Sequence, residues 1–201
     1  EVLAYLEKHR KMLTQAADVF NKSTIHFSGG TSQQPQEKLD ELRVINDAVI
    51  NEAVLPMPYA GKPVHFYKTK VPQTDFGPYT PAFVQETIDD GGLVISYIGH
   101  AAIRTWDNTI GDPSQLRNTK DRASLVSDFG CSTSKFADPD GAAFAELFVV
   151  PEGTQSIAYV GNSAIGFTST AAVMPVLFYK ALLKDGATSI GDAHRRSKLD
   201  L

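Results

Sequence analysis

The stretches GGLVISYIGH, residues 91–100, and SLVSDFGC, residues 124–131, share one pattern: an apolar run, then glycine, then a reactive side chain. Continuous apolar runs, without the polar alternation of a half-exposed strand, are typical of parallel strands that are covered on both faces. The carboxyl ends of parallel strands meet at one edge of a sheet, where active sites collect. The two stretches therefore predict that His100 and Cys131 lie close together.

Cys131 is the only cysteine in the chain. A thiol becomes a nucleophile near neutral pH when a base takes its proton, and imidazole is the side chain best suited to that task. The pair Cys131 and His100 therefore suggests a hydrolase with a cysteine nucleophile. Position alone leaves another interpretation open, because a single cysteine at a strand end is commonly a small buried residue and a single histidine a hydrogen-bonded structural one.

Around these two stretches, predicted strands and helices alternate along the chain. Apolar periodicity and turn residues predict strands at 24–28, 64–67, 93–97, 124–129 and 156–160. They predict helices at 2–20, 39–49, 81–90, 142–149 and 170–184, with a further helix from residue 189. This alternation indicates an α/β fold, a three-layer sandwich around a mostly parallel sheet. We expect one domain over residues 1–201, which is a fragment of a longer chain.

Composition excludes two classes of protein. The 201 residues carry a net charge of -4, and the basic residues are scattered, so the sequence indicates no nucleic-acid partner. The uncharged run 156–179 is interrupted by Gly161, Gly166 and Pro175, so it fits a buried strand, loop and helix rather than a membrane span.

Three segments resemble the gingipain-type cysteine peptidases. Residues 91–100, followed by Trp106, are similar to the histidine segment of that family, which combines Gly-Gly, an apolar strand and Tyr-x-Gly-His. FGCSTSKF (129–136) followed by FAEL (144–147) resembles its nucleophile strand and next helix, and IHFSGG (25–30) its first core strand. CSTSKFADPD (131–140) is most similar to members that act as cell-surface sortases of the bacterial type IX secretion pathway.

The resemblance implies a caspase-like fold and peptide-bond cleavage, by hydrolysis or transpeptidation, through a thioester. Cys131 matches the nucleophile and His100 the general acid and base, while the backbone N–H groups of Ala101 and Cys131 match the oxyanion hole. It also implies a polypeptide substrate, no cofactor, a secreted or cell-surface location and contacts with other secretion or cell-surface components.

Two positions depart from the family pattern. Many relatives have glycine where this chain has Ala101, and some have an acid that orients the histidine where this chain has Ser28. A serine hydroxyl can accept a hydrogen bond from imidazole, but it does not stabilise imidazolium as a carboxylate does. Ser28 is the possible histidine-orienting position, but we expect a Cys–His dyad or an orienting group from elsewhere in the chain. The alternative function is a catalytically silent domain that binds a peptide or partner.

Further positions come from the same resemblance. Ile98, Phe129 and Phe167 match the lining of the pocket for the residue before the scissile bond, and Asp40 lies near the arginine-binding position of arginine-specific members. Ordinary core packing for the first three, and a surface acid for Asp40, remain open interpretations. Calcium, which some relatives bind, would draw on the four loop acids Asp107, Asp112, Asp138 and Asp140, but their spacing supports no metal site. The other four histidines show no ligand spacing and are interpreted as structural: His9, His26, His65 and His194.

Overall fold

The computed structural model describes residues 2–108, 110–151 and 153–201. Five parallel strands form its central sheet: β1 (Ser23–Ser28), β2 (Lys62–Tyr67), β5 (Val94–Ile98), β8 (Ser124–Asp128) and β9 (Ser156–Gly161). The sequence predicts each of them to within two residues at either end. Their continuous apolar character follows from position, since β5 and β8 are buried along their whole length.

The order of strands across the sheet is β2-β1-β5-β8-β9. The chain therefore winds outward in one direction from β1 to β2, and in the other direction from β5 through β8 to β9. The reversal lies between β1 and β5, and the loops that leave the carboxyl ends of two such strands separate and open a crevice. His100 lies two residues beyond the end of β5, and Cys131 lies three residues beyond the end of its neighbour β8.

One face of the sheet is covered by two helices, α3 (Pro81–Asp90) and α4 (Phe144–Val149). Phe27, Tyr97 and Val126 on the strands pack in one apolar cluster with Val84 of α3 and Phe148 of α4. The opposite face is covered by α2 (Gln36–Val49), α5 (Thr168–Leu183) and α6 (Ile190–Leu199). A second cluster joins strand residues of that face to these helices: Val94, Ile98, Leu125, Val49, Phe178 and Ala193. The predicted three-layer α/β sandwich is confirmed.

Local signals explain where α3 begins and ends. Thr80 caps the helix, since its hydroxyl accepts the N–H of Phe83 at 3.2 Å, and Pro81 occupies the first helical position. Gly91 ends the helix with a φ of +66°, a backbone conformation that favours glycine. The chain then enters β5, so the turn between α3 and β5 sets where the His100 strand begins.

The prediction of a helix over residues 2–20 is wrong at its carboxyl end. Helix α1 spans Val2–Thr14, and Val19–Lys22 form a separate 3-10 turn. The carboxylate of Asp18 accepts the N–H of Phe20 at 2.9 Å, and this cap starts the second turn instead of continuing the first helix. Within the described ranges, no helix is both long and apolar enough to cross a membrane.

Several short elements were not expected from the sequence. One hairpin consists of β3 (Thr69–Lys70) and β4 (Gln73–Thr74), and another of β6 (Ala101–Ala102) and β7 (Thr105–Trp106). A π-helical turn extends α2 over Ile50–Val54, and a second 3-10 turn covers Pro113–Leu116. The β6–β7 hairpin matters most for function, because it begins immediately after His100.

Candidate active site

The carboxyl ends of β5 and β8 bring His100 and Cys131 to one cavity. Tyr97 of β5 pairs with Asp128 of β8, and the N–H of Phe129 donates to the carbonyl of Tyr97 at 3.0 Å, so the two strands leave the sheet side by side. His100 and Cys131 both line a cavity of about 300 Å³ that lies beyond this edge. The structure therefore places both residues of the predicted pair around one space.

Two hydrogen bonds hold the backbone of His100 in place. Its carbonyl oxygen accepts hydrogen bonds from the hydroxyl of Tyr97 and, at 3.0 Å, from the N–H of Asp107. The imidazole ring is exposed, and its Nε2 lies 2.8 Å from the amide nitrogen Nε2 of Gln34. The loop that follows β1 thus supplies the side chain that contacts the histidine, although the sequence interpretation assigned no role to Gln34.

The turn that carries Cys131 rests on the loop after β9. Asn162 donates from Nδ2 to the carbonyl of Gly130 at 2.9 Å, and the N–H of Ser132 donates to the carbonyl of Ala164 at 3.0 Å. Ser132 has a φ of +58°, an uncommon conformation for a residue with a side chain. The half-buried thiol of Cys131 points towards the carbonyl of Gly166, with its sulfur 4.0 Å from that oxygen.

The backbone amides that were predicted to form the oxyanion hole are those of Ala101 and Cys131. In the β6–β7 hairpin, the N–H of Asp107 bonds to the carbonyl of His100, so the adjacent pair Ala101 and Trp106 is of the non-hydrogen-bonded kind. The N–H of Ala101 therefore points away from β7. The N–H of Cys131 donates to no acceptor in the described ranges. Both amides lie near Gly130, where an added Cβ would come within 2.6 Å of the Cβ of Ala101.

A buried carboxylate lies beneath the cysteine turn. Asp128 accepts from the N–H of Gly130 at 2.6 Å, from Nε1 of Trp106 at 2.6 Å and from the hydroxyl of Tyr159 at 2.5 Å. Burial raises the pKa of Asp128 above its ordinary value, although the bonds from Tyr159, Gly130 and Trp106 act in the opposite direction. Burial, followed by the charge of Asp128, raises the pKa of Tyr159 and of Tyr97 well above 10.

Trp106 joins the two halves of the site. Its indole stacks on the ring of Tyr97, with centroids 4.6 Å apart and an angle of 4° between the planes, while its nitrogen bonds to Asp128. Tyr97 holds the carbonyl of His100, and Asp128 holds the turn of Cys131. Asp128 was not singled out from the sequence, but its place three residues before the cysteine at the end of a buried strand is a signal for such a role.

Ser28 does not contact His100 but belongs to a buried network against α2. Its hydroxyl lies 2.8 Å from Nε2 of His65 and accepts from the amide of Asn46 at 2.9 Å. His65 Nδ1 in turn contacts Asp47 at 2.9 Å, and this leaves Nε2 as the nitrogen that accepts the Ser28 proton. The side chain of a strand residue points to one face of the sheet, and Ser28 faces α2 rather than the edge where His100 lies. The group that touches His100 is Gln34 instead.

His26 extends the same network. Its Nε2 lies 3.0 Å from the hydroxyl of Thr24 and its Nδ1 lies 3.3 Å from the side-chain oxygen Oδ1 of Asn46. Burial, and secondarily the neighbouring His65, lower the pKa of His26 from 6.5 to about 3. Burial also lowers the pKa of His65, opposed by Asp47. Both histidines fit the structural role expected of them from the sequence.

The proposed pocket residues occupy different environments. Phe129 and Phe167 line the cavity beside Cys131, and the ring of Phe167 is 72% exposed. Ile98 is completely buried in the core cluster against α5 and α6. Asp40 accepts the amide of Gln36 at 3.0 Å and does not line this cavity within the described part of the chain.

From α2, the cavity is lined by Lys38, Glu41 and Leu42. The Lys38 ammonium is 2.7 Å from the carboxylate of Glu41, so the two charges on this wall are paired.

The four loop acids are not gathered around one point. Asp107 contacts Lys68 at 3.5 Å, Asp112 caps the 3-10 turn at residues 113–116, and Asp138 accepts the N–H of Asp140. In residues 2–108, 110–151 and 153–201, no three His, Cys, Asp or Glu side chains form a group that fits a metal ion. Calcium binding therefore has no supporting cluster in the described ranges.

Comparisons with known proteins bear on the family and the fold. The sequence model of peptidase family C25 matches residues 1–201. A solved structure described as a protease is similar with a TM-score of 0.75 and 14% identity, covering 98% of this chain and 45% of that one. The Arg-specific cysteine proteinase gingipain R is similar with a TM-score of 0.69 and 11% identity, covering 98% and 46%.

A complex of pro- and mature domains of the Porphyromonas gingivalis protein RgpB is similar with a TM-score of 0.68 and 10% identity, covering 98% of this chain and 47% of that one. The chain thus spans less than half the length of these solved structures. No curated protein matches the sequence. The gingipain-type, caspase-like fold expected from the sequence is confirmed.

Proposed function

The chain belongs to peptidase family C25, and we propose that it is a cysteine peptidase in which Cys131 is the nucleophile and His100 the general acid and base. The observation that carries this proposal is the shared cavity of the two side chains at the carboxyl ends of neighbouring parallel strands. A thiol and an imidazole around one open space are the minimum that acyl transfer through a thioester needs.

In the proposed reaction, the proton of the Cys131 thiol moves to the imidazole of His100, and the thiolate attacks the carbonyl carbon of the scissile bond. The carbon–sulfur bond forms, and the carbonyl electron pair moves onto oxygen. When the tetrahedral intermediate collapses, the carbon–nitrogen bond breaks and His100 returns the proton to the leaving amine. Water or a second amine then attacks the thioester and regenerates the thiol.

The oxyanion of the intermediate requires hydrogen-bond donors aimed at it before the reaction begins. We assign this role to the backbone N–H groups of Ala101 and Cys131. Support comes from the outward-facing amide of Ala101, the unengaged amide of Cys131 and the close approach of Ala101 to Gly130. Loss of one donor in other acyl-transfer enzymes costs about 3 kcal/mol of transition-state stabilisation.

The substrate is proposed to be a polypeptide whose side chain before the scissile bond enters the cavity between Phe129, Phe167 and α2. The paired charges of Lys38 and Glu41 leave no unpaired carboxylate among the described lining residues. Arginine specificity through Asp40 is not favoured by this geometry, since Asp40 bonds to Gln36. An uncharged side chain suits this wall best.

Hydrolysis and transpeptidation use the same residues. The similarity of residues 131–140 to sortase-like members motivates a transfer activity at the cell surface or outside the cell, together with partners of the type IX secretion pathway. Product analysis separates the two reactions. A transpeptidase forms the amide adduct when an amine is added, whereas free acid as the only product with every amine tested would exclude the sortase-like version.

The experiment that tests the peptidase itself measures cleavage of a mixed peptide library, with mass spectrometry of the thioester. Cys131→Ala and His100→Ala are each expected to reduce cleavage by at least about 1,000-fold. His9→Ala, which alters a histidine in α1 and outside the cavity, is the matched control and is expected to retain full activity. Equal cleavage by wild type and Cys131→Ala would overturn the proposal.

One observation favours a second candidate, a silent domain that binds a peptide in the same cavity. The Nε2 atom of His100 is already engaged by Gln34, and no carboxylate contacts the ring within the described ranges. A silent domain predicts a slowly alkylated thiol. Rapid modification of Cys131 by iodoacetamide near pH 7, slowed in His100→Ala, would exclude this candidate.

A further inference from the structure

Gln34 is the side chain that touches the imidazole of His100. Its amide nitrogen lies 2.8 Å from Nε2 of His100, and its amide oxygen accepts the N–H of Thr31 at 2.8 Å. The loop packs closely around this contact, since a Cβ on Gly30 would lie only 2.5 Å from the same amide oxygen. Gln34 is therefore held by its own turn and reaches the histidine from a fixed position.

The contact with Thr31 determines which way the amide faces. A backbone N–H can only donate, so the atom of Gln34 that meets it is the oxygen. The NH₂ group then faces His100, and because an amide nitrogen donates, Nε2 of the ring must accept. A neutral imidazole that accepts at Nε2 carries its single proton on Nδ1.

In this arrangement neither ring nitrogen is able to take the proton of the Cys131 thiol. The lone pair of Nε2 is occupied by Gln34, and Nδ1 already carries a proton. If Nε2 of His100 were protonated, its N–H would also point at the amide N–H of Gln34, and two donors would face each other. We propose that Gln34 is a positioning residue that holds His100 in a non-basic resting state, from which the site is activated when the amide leaves Nε2.

This proposal rests on the proposed peptidase function, and it names the residue that controls when His100 becomes available as a base. Gln34 lines the same cavity as Cys131, together with the exposed Phe167. A peptide that enters the cavity therefore meets Gln34 directly. The class of ligand that releases the base is an extended peptide with a backbone carbonyl, which accepts the amide N–H of Gln34 in place of the imidazole.

A carboxylate at position 34 would reverse the effect. One of its oxygens would keep the bond from Thr31, and the other would accept a proton on Nε2 and stabilise the imidazolium. The other charged groups near His100 are already paired. Lys38 pairs with Glu41 on the α2 side, and Lys68 pairs with Asp75 at 3.2 Å and with Asp107 on the opposite side.

The test compares Gln34→Glu with Gln33→Glu, which adds the same charge one residue away on an exposed side chain that does not contact His100. Nitrogen-15 chemical shifts of the His100 ring, assigned with His100→Ala, report the tautomer. The dependence of the Cys131 alkylation rate on pH reports how well His100 acts as the base for the thiol. Both measurements use the intact chain and need no substrate.

We expect the Nδ1–H tautomer in the wild type and the Nε2–H tautomer in Gln34→Glu. The rate of Cys131 alkylation at pH 6 is expected to be roughly tenfold higher in Gln34→Glu than in the wild type. Gln33→Glu should change that rate by less than about twofold, because exposed charges are screened. Gln34→Ala should lose the tautomer preference without raising the alkylation rate as Gln34→Glu does.

An Nε2–H tautomer in the wild type, or equal alkylation rates in the two glutamate variants, would overturn the role of Gln34. These results are independent of peptide cleavage. If the tautomers behave as expected and yet no variant cleaves a peptide, Gln34 retains its role and the peptidase proposal alone fails. If the wild type cleaves peptides with the Nε2–H tautomer, the role of Gln34 alone fails.

Discussion

The indole nitrogen of Trp106 lies 2.6 Å from Oδ2 of Asp128, and this bond ties the hairpin after His100 to the strand before Cys131. Trp106 is almost completely buried, and so is Asp128. The two loops that carry the proposed base and nucleophile are therefore positioned by one shared contact below the cavity. Changes at Asp128 should affect the fold and the thiol together.

Asp128→Asn is expected to lower the free energy of unfolding by about 2 kcal/mol, because an amide NH₂ would face one of the N–H or O–H groups that now donate to the carboxylate. Urea unfolding measures this loss, and Cys131 alkylation should change as well because Gly130 loses its acceptor. The control is Asp121→Asn, an exposed acid paired with Lys11, for which we expect less than about 0.5 kcal/mol. Equal unfolding free energies for Asp128→Asn and the wild type would contradict this role.

Gly130→Ala is expected to abolish most peptide cleavage. The new Cβ would lie 2.6 Å from the Cβ of Ala101, 2.9 Å from Oδ1 of Asp128 and 3.2 Å from the carbonyl of Gly99, so the two loops must separate. A displacement of about 1 Å is enough to cost on the order of 100-fold in rate. The matched control is Gly191→Ala in α6. The atom nearest to its added Cβ would be 3.9 Å away, so we expect peptide cleavage to be unchanged. An unchanged kcat/KM in Gly130→Ala would contradict this prediction, because it would show that the loops of His100 and Cys131 can separate without loss of activity.

Ser28→Ala is expected to destabilise the fold without altering the reactivity of Cys131. The substitution leaves Nε2 of His65 and one N–H of Asn46 without a partner, at a cost of about 1 to 3 kcal/mol. Thermal unfolding measures the loss, with the exposed Ser32→Ala as control. An alkylation profile for Ser28→Ala that shifts along the pH axis would instead indicate that Ser28 acts on His100.

Stability should fall in acid because His26 is buried in its neutral form. Burial lowers the pKa of His26 to about 3, so its contribution is complete above pH 6.5 and is lost as the pH falls towards 3. The free energy of unfolding is expected to differ by about 5 kcal/mol between these two limits. Asp128 acts in the opposite direction, since burial raises its pKa.

The variant that isolates this effect is His26→Gln. Its free energy of unfolding should be lower at pH 7 and should vary less between pH 7 and pH 4 than that of the wild type, as measured by urea unfolding across that range. His9→Gln in α1 is the control. Identical pH slopes in His26→Gln and the wild type would assign the acid sensitivity to another group.

The centre of the sheet was predictable because β5 and β8 are buried, largely apolar runs that are followed by a glycine. The run at 93–97 and the run at 124–129 both fall within one residue of β5 and β8, and their carboxyl ends bring His100 and Cys131 to one cavity. The helix start at Thr80 and its end at Gly91 were equally clear, since a cap and a left-handed glycine are local signals. Such features depend on neighbours in sequence.

The contacts of the site were less predictable because they join distant loops. Nothing near Gln34 in the sequence indicates that a turn closed by Thr31 points its amide at His100, 66 residues away. Ser28 occupies the motif position at which some relatives have the histidine-orienting acid, but which face of β1 its side chain takes is set by the packing of β1 against α2. The two-residue strands of the β6–β7 hairpin are too short for a periodic signal.

The direction of the Cys131 thiol has a consequence for chemical durability. Its sulfur lies towards the carbonyl of Gly166, 4.0 Å from that oxygen, and Cys131 is the only cysteine in the chain. A sulfenic acid at this position would therefore find no second thiol in the chain with which to form a protective disulfide. Peroxides attack the thiolate more readily than the protonated thiol, so the proposed resting site, which withholds the base until a peptide arrives, would also protect the nucleophile from oxidation.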